Sequence, residues 1–231
     1  MKLLIPSLLA LFFVACDNGS STSATSSLSD AGNEYNAVTN TLKDYRNGQI
    51  YKTVTIGTQT WMAQNLNYES ANSYCYNDNA SNCTKYGRLY TWAAAVGKSE
   101  DVCGYDHSCS LPSGYIQGVC PSSWHLPTKT EWETLITAVG GPSTAAKILK
   151  STSGWNNDGN GTDAFSFSAL PAGYRDYNWY YDYKGLDANF RSSTEYGSGN
   201  AYFMYLGYYD DNAGLYDVNK GNGFSVRCLK D

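Results

Sequence analysis

The sequence predicts an α+β fold of short antiparallel strands, two to three helices and long disulfide-stapled loops. Three features point to it. Apolar residues alternate near the start of the folded part, a capped amphipathic helix lies in the middle, and a second strand-rich stretch follows. The composition agrees: 21 Tyr, 6 Trp and 22 Gly stand among few charges, as in chains built of short strands and structured turns.

Across residues 49–66, Tyr51, Val54 and Ile56 precede Gly57-Thr58, and Trp61 and Met62 follow, the pattern of a hairpin. Residues 88–96 place Leu89, Trp92, Ala93 and Val96 on one helical face. Residues 128–139 carry the strongest local signal. Thr128 and Glu131 form a capping box, Trp132, Leu135, Ile136 and Val139 make an apolar stripe, and Gly140-Gly141-Pro142 ends it. A short helix over 143–150 follows. Strands are then expected at 165–169, 189–193, 201–206 and 223–229, where apolar and aromatic residues recur.

The beginning of the chain addresses the compartment. Lys2 precedes an apolar run from Leu3 to Ala15, too short to span a bilayer as a mature helix and suited to a signal peptide. It ends in Phe13-Val14-Ala15-Cys16, which resembles the lipobox of bacterial lipoproteins. Residues 1–15 are therefore expected to be a signal peptide, with Cys16 lipidated. Residues 16–40 form a Ser/Thr-rich spacer that buries no core, and the folded domain is expected over 41–231. The expected location is the cell envelope, at the outer membrane or cell surface, with the membrane reached through the lipid anchor.

With Cys16 assigned to lipid, Cys75, Cys83, Cys103, Cys109, Cys120 and Cys228 remain, an even set that reads as a disulfide framework in an oxidising compartment. Sequence alone leaves the connectivity open, and local spacing favours Cys75–Cys83 and Cys103–Cys109, leaving Cys120–Cys228. Zinc is disfavoured, because no CxxC pair occurs and the two histidines are isolated. The net charge of −5 and the absence of a Lys/Arg run exclude nucleic acid as a partner.

A family resemblance rests on "YKTVTIGTQTWMAQNLNY" (51–68), "YCYN" (74–77), "GRLYTWAAA" (87–95), "VCPSSWHLPTKTEW" (119–132), "GNGTDAF" (159–165), "ALPAGYR" (169–175), "SSTE" (192–195) and "FSVRCLKD" (224–231). In this order they resemble the FISUMP domain, the Fibrobacter succinogenes major paralogous domain, found in exported proteins and lipoproteins. More distantly, "WHLPTKTEWETL" (124–135) and "GFSVRC" (223–228) are similar to motifs of the formylglycine-generating, sulfatase-modifying superfamily. That similarity implies a single C-type lectin-like domain. It does not carry over the oxidising chemistry, which needs a closely spaced cysteine pair late in the domain, whereas no cysteine lies between Cys120 and Cys228.

Catalytic residues are not expected. Of the two histidines, His107 lies in a small disulfide loop and His125 stands at a helix entrance, where a structural hydrogen bond is its expected role. No G-x-S-x-G elbow, phosphate loop or HExxH occurs, and carboxylates such as Asp176 and Asp182 have no diagnostic spacing. In the loop 156–163, Asn156, Asp158, Asn160, Thr162 and Asp163 offer oxygens in the manner of a calcium loop, but Phe167 stands where an EF-hand needs Glu. Calcium on another geometry and a self-satisfied Asx- and Gly-rich turn are the two readings of it.

The segment 174–183 is the most suggestive. Tyr174, Tyr177, Trp179, Tyr180, Tyr181 and Tyr183 stand among Arg175, Asp176 and Asn178. Aromatic rings stack on the C–H faces of sugars and Arg, Asp and Asn bond hydroxyls, so the segment reads as a ligand surface or as dense packing. The second aromatic run, 202–209, alternates like a core strand. The expected role is a non-enzymatic binding or adhesion module without a required cofactor, its partner a polysaccharide or an envelope protein. A diverged enzyme of the formylglycine-generating superfamily and a purely structural envelope protein are the alternatives.

Overall fold

The computed structural model describes residues 32–231, so the signal segment, Cys16 and the spacer up to residue 31 lie outside the described residues. The first described strands are β1 (Asn33–Asn36) and β2 (Thr41–Asp44), which pair antiparallel. Ordered pairing thus starts before the expected boundary at residue 41, because the amide of Asn33 donates to Ser122 and anchors β1 on the body of the domain.

Strands β3 (Gln49–Ile56) and β4 (Gln59–Met62) form the expected hairpin, with Tyr51, Thr53 and Ile56 turned inward. After β5 (Ser73–Tyr74) comes α1 (Ala80–Tyr86), capped by the Asn79 side chain, which accepts from the Ser81 amide. The helix expected over 88–96 is corrected here. Its first part is extended as β6 (Leu89–Tyr90), and only α2 (Trp92–Ala95) is helical. Tertiary main-chain bonds capture the segment: Tyr90 N–H donates to Phe224 O at 2.7 Å and Trp92 N–H to Lys220 O at 2.9 Å. One-face spacing says nothing of such distant acceptors.

Next come α3 (Glu100–Cys103), β7 (Trp124–His125), α4 (Lys129–Ala138) and α5 (Pro142–Leu149). In α4 both halves of the Thr128/Glu131 capping box are made, and Trp132, Leu135 and Ile136 are buried. Gly140 and Gly141 at φ 104° and 94° turn the chain through a region other residues avoid, and Pro142 starts α5. Five α-helices thus stand among the described residues where two to three are expected; the additional α1 and α3 are only one or two turns long.

The C-terminal half contains β8 (Tyr174–Arg175), β9 (Tyr181–Asp182), β10 (Asp187–Tyr196), β11 (Asn200–Gly207), β12 (Ala213–Asn219) and β13 (Leu229–Lys230). Two strand expectations fail. Residues 165–169 turn rather than extend, with Ser166 and Ser168 at φ 58° and 53°, because the Asp163 carboxylate accepts from the Ser168 amide and hydroxyl. Residues 223–228 make isolated bridges to Arg175, Tyr90 and Phe190, and regular pairing starts only at β13.

The strands form a six-stranded sheet in the order β1-β2-β3-β4-β13-β7, a three-stranded β10-β11-β12 sheet and two small ribbons, β5-β6 and β8-β9, all antiparallel. One apolar cluster surrounds Trp92 and Trp124, a second packs Trp61 on Trp132, centroids 4.6 Å apart, with Phe167 and Phe190, and a third, smaller one holds Tyr76, Tyr86, Leu89 and Ala172. Disulfides join Cys75 to Cys83, Cys103 to Cys109 and Cys120 to Cys228, the pairing that spacing favours. Among the described residues no helix is long and apolar enough to cross a membrane.

Long loops leave main-chain carbonyls without a ladder partner, and buried cations supply donors for them. The fully buried Arg227 donates to the carbonyls of Phe167 and Ser168 and to Asn65 Oδ1. Arg191 donates to the carbonyls of Lys220 and Asn222, and the Lys150 ammonium reaches those of Gly207 and Asp210, each at 3.0 Å. Burial pushes both guanidinium pKa values down to about 9, still charged at neutral pH.

Candidate functional site

The ribbon β8-β9 turns through residues 176–180, and this turn bonds itself. Asp176 N–H donates to Tyr180 O, and the Asp176 carboxylate accepts from the Tyr180 amide, both at 2.8 Å. Trp179 N–H donates to Asp176 O at 3.0 Å, and Trp179 adopts φ 77°. A non-glycine residue in that region needs such closure around it.

The aromatic residues of 174–183 divide into two groups. Tyr174 and Tyr181 hold the ribbon down. Tyr174 stacks on Tyr183 with centroids 5.6 Å apart and meets Phe224 edge-on at 5.7 Å. Tyr181 packs on Tyr76 at 5.3 Å and its hydroxyl donates to Asp78 at 2.6 Å. Burial and that carboxylate push the Tyr181 phenol up to about 12. The Arg175 guanidinium lies 3.9 Å over Tyr74 and 5.9 Å from the Trp179 and Tyr181 rings. Tyr177, Trp179 and Tyr180 face outward at 58%, 73% and 70% exposure. Asp176 and Arg175 thus serve the ribbon, while three rings are presented to solvent on a closed turn.

Two adjacent hollows share Tyr177. One, of about 410 Å³, is lined by Tyr177, Asn178, Trp179 and Tyr180. The other, of about 450 Å³, is lined by Tyr177 with Tyr105, Asn219 and Gly221. Sequence reasoning missed Tyr105, Asn219 and Gly221. They come from a disulfide loop and the end of β12, and no local pattern distinguishes them.

Part of the loop 156–163 is bonded internally. Asn160 Oδ1 accepts from Trp155 N–H at 3.1 Å, and the Asp163 carboxylate is taken by Ser168. The Thr162 hydroxyl donates to Lys147 O, Asn156 packs against Gly185, and Asp158 is exposed. Among the described residues no group of three or more His, Cys, Asp and Glu side chains is placed to hold a metal ion.

His125 is buried, with Nδ1 2.7 Å from Asp231 and Nε2 2.9 Å from Glu131, and its ring stacks on Tyr115 at 4.1 Å. Both ring nitrogens are engaged at the entrance of α4, where a structural bond is expected. His107 is exposed, and its main-chain carbonyl accepts from Lys220.

Residues 54–230 match the model of the Fibrobacter succinogenes major domain (Fib_succ_major). The chain belongs to that family. The match runs from the last three residues of β3 through β13 and includes all three disulfides and the whole aromatic ribbon. Comparison of this Fibrobacter succinogenes major domain chain with curated proteins and with solved structures returned no match.

Proposed function

We propose that this Fibrobacter succinogenes major domain protein is a non-enzymatic binding module of the cell envelope, tethered by lipid at Cys16. It holds a glycan or an envelope partner through the aromatic rings of residues 174–181. The observation that carries this reading is the closed turn that keeps Tyr177, Trp179 and Tyr180 exposed on a ribbon fixed by Tyr174 and Tyr181. Exposed aromatic side chains on a rigid support make contact at low entropic cost. Calcium is not required in this reading, since Asn160 and Asp163 already accept from the chain's own donors.

A C-type lectin-like architecture is part of the proposal. In its support, β7 of the first motif similar to the formylglycine-generating superfamily pairs with β13, which directly follows the second, and Cys228 of the second is bonded to Cys120, just before the first. An oxidising enzyme of that superfamily is disfavoured, because all six cysteines of the described residues are in disulfides.

The test is a glycan array and a polysaccharide pull-down with the whole chain, with and without calcium, beside the Trp179→Ala variant. Removing an exposed anchor ring is expected to weaken binding about tenfold or more, while stability stays within about 0.5 kcal/mol. No binding to any glycan removes the carbohydrate reading, and calcium-dependent binding restores the loop 156–163 as a ligand site.

A further inference from the structure

The two hollows that share Tyr177 constrain what the ribbon binds. Tyr105, 54% exposed, sits in the loop closed by Cys103–Cys109. That loop is fastened at two points. The buried Lys220 ammonium donates to His107 O at 2.7 Å and to Glu195 Oε1 at 2.5 Å, and Glu195 Oε1 also accepts from the Cys109 amide at 2.8 Å. Both tyrosines rest on glycine. A Cβ on Gly199 would meet the Tyr105 ring at 3.1 Å, and one on Gly221 would meet Tyr177 Cβ at 3.3 Å. Asn219 Oδ1 accepts from Gly221 N–H at 2.8 Å, which sets the amide plane beside Tyr177.

The side chains lining both hollows are Tyr, Trp and Asn, with Gly221 contributing backbone. They offer flat apolar faces together with neutral donors and acceptors, and no ionised group. The lining rings are exposed, so a charged ligand would keep its water but gain no ion pair from these side chains. A ligand with apolar ring faces and hydroxylated edges suits both kinds of surface, which is the chemistry of a neutral pyranose. Tyr177 lines both hollows, so a ligand that fills the two is a chain of rings rather than a single sugar.

We propose that the hollows are consecutive subsites for a neutral glycan chain, with Tyr177, Trp179 and Tyr180 lining one and Tyr105, Tyr177 and Asn219 the other. This rests on the glycan reading of the ribbon and adds a second subsite, a ligand charge and a minimum length. Tyr105 is in this view a binding residue delivered to the ribbon by a disulfide loop.

Calorimetric titration of the whole chain with neutral gluco- and manno-oligosaccharides, from monosaccharide to hexasaccharide, tests it. Affinity is expected to rise about tenfold between one ring and two or three, corresponding to about 1.4 kcal/mol. Tyr105→Ala should abolish that rise, Tyr105→Phe should largely keep it, and Trp179→Ala should weaken ligands of every length. Thermal melting monitors the fold of each variant. If Tyr105→Ala binds every length as the wild type does, the second subsite is overturned and the ribbon reading stands. If the wild type binds only polyuronates or only a protein partner, the neutral-glycan assignment is overturned. If it binds no glycan at all, the two subsites and the glycan reading of the ribbon fall together.

Discussion

Lys220 and Glu195 form an ion pair of 2.5 Å in which the lysine side chain is fully buried and the glutamate is 25% exposed. The same ammonium lies 4.8 Å over the Trp92 ring and donates to the His107 carbonyl. One side chain therefore links the end of β12 to β10, to the core around Trp92 and to the disulfide loop that carries Tyr105. A buried ammonium is costly unless its charge and donor positions are matched, here by the Glu195 carboxylate and the His107 carbonyl.

Glu195→Gln keeps an acceptor for the Cys109 amide but leaves the ammonium with no carboxylate within ion-pair distance among the described residues. The expected loss is about 3 kcal/mol, read as a lower urea midpoint at unchanged slope. Limited proteolysis should find new cuts within the loop 104–108. A midpoint equal to the wild type would show that the pair does not hold this loop.

Helix α4 was legible because its signals are local: the Thr128/Glu131 box, the stripe from Trp132 to Val139 and the Gly-Gly-Pro stop all lie within one short window. Disulfide spacing was legible for the same reason. Residues 88–96 misled, since Leu89 and Tyr90 are drawn out by β5 and by Phe224, which is distant in sequence. Strand β12 was missed because Gly214 and Asp217 interrupt its apolar pattern and most of it is half-exposed or exposed. At the site, residue types marked the aromatic segment. Which rings anchor and which face outward depends on Tyr76, Asp78 and Phe224, partners that no spacing identifies.

The His125 cluster predicts a pH window for stability. Burial alone would lower the imidazole pKa, but hydrogen bonds to Glu131 and Asp231 outweigh it and leave it above its ordinary 6.5. A raised imidazole contributes stability that is fully present below the unfolded value and lost as pH rises through the folded one. Burial likewise pushes Glu131 up, yet its bonds to His125 and Thr128 prevail and hold it below 4.5. Its contribution is lost as pH falls through that lowered value. Melting temperature followed against pH should decline on the alkaline side of 6.5 in the wild type. In His125→Gln that alkaline decline should flatten, and an unaltered profile would remove the cluster as its cause.

Asp187 runs opposite to Glu131 and in the same sense as His125. Burial raises its carboxyl to about 6, only partly offset by the Tyr205 hydroxyl. The folded state therefore binds this proton more tightly than the unfolded chain. Its contribution is present below the ordinary 3.8 and is lost as pH rises through about 6. Asp187→Asn keeps an acceptor for Tyr205 and removes the desolvated charge. It should raise the melting temperature at neutral pH and leave it unchanged below the unfolded value. A variant less stable at neutral pH would mean that the ionised carboxylate is needed where it stands.

Cys120–Cys228 spans 108 residues and both cysteines are fully buried, beside the pairing of β13 with β7. Cys75–Cys83 closes only 8. If restriction of the unfolded chain dominates, removing the long bridge as Cys120→Ala/Cys228→Ala costs about 4–5 kcal/mol, against about 2–3 for Cys75→Ala/Cys83→Ala. Urea unfolding should show that order. The slope should also steepen more for the long bridge, because the unfolded chain it releases exposes more surface. Equal losses with unchanged slopes would place the stabilisation in native packing around the sulfurs. The β13–β7 junction would then be held by its apolar neighbours rather than by the tether.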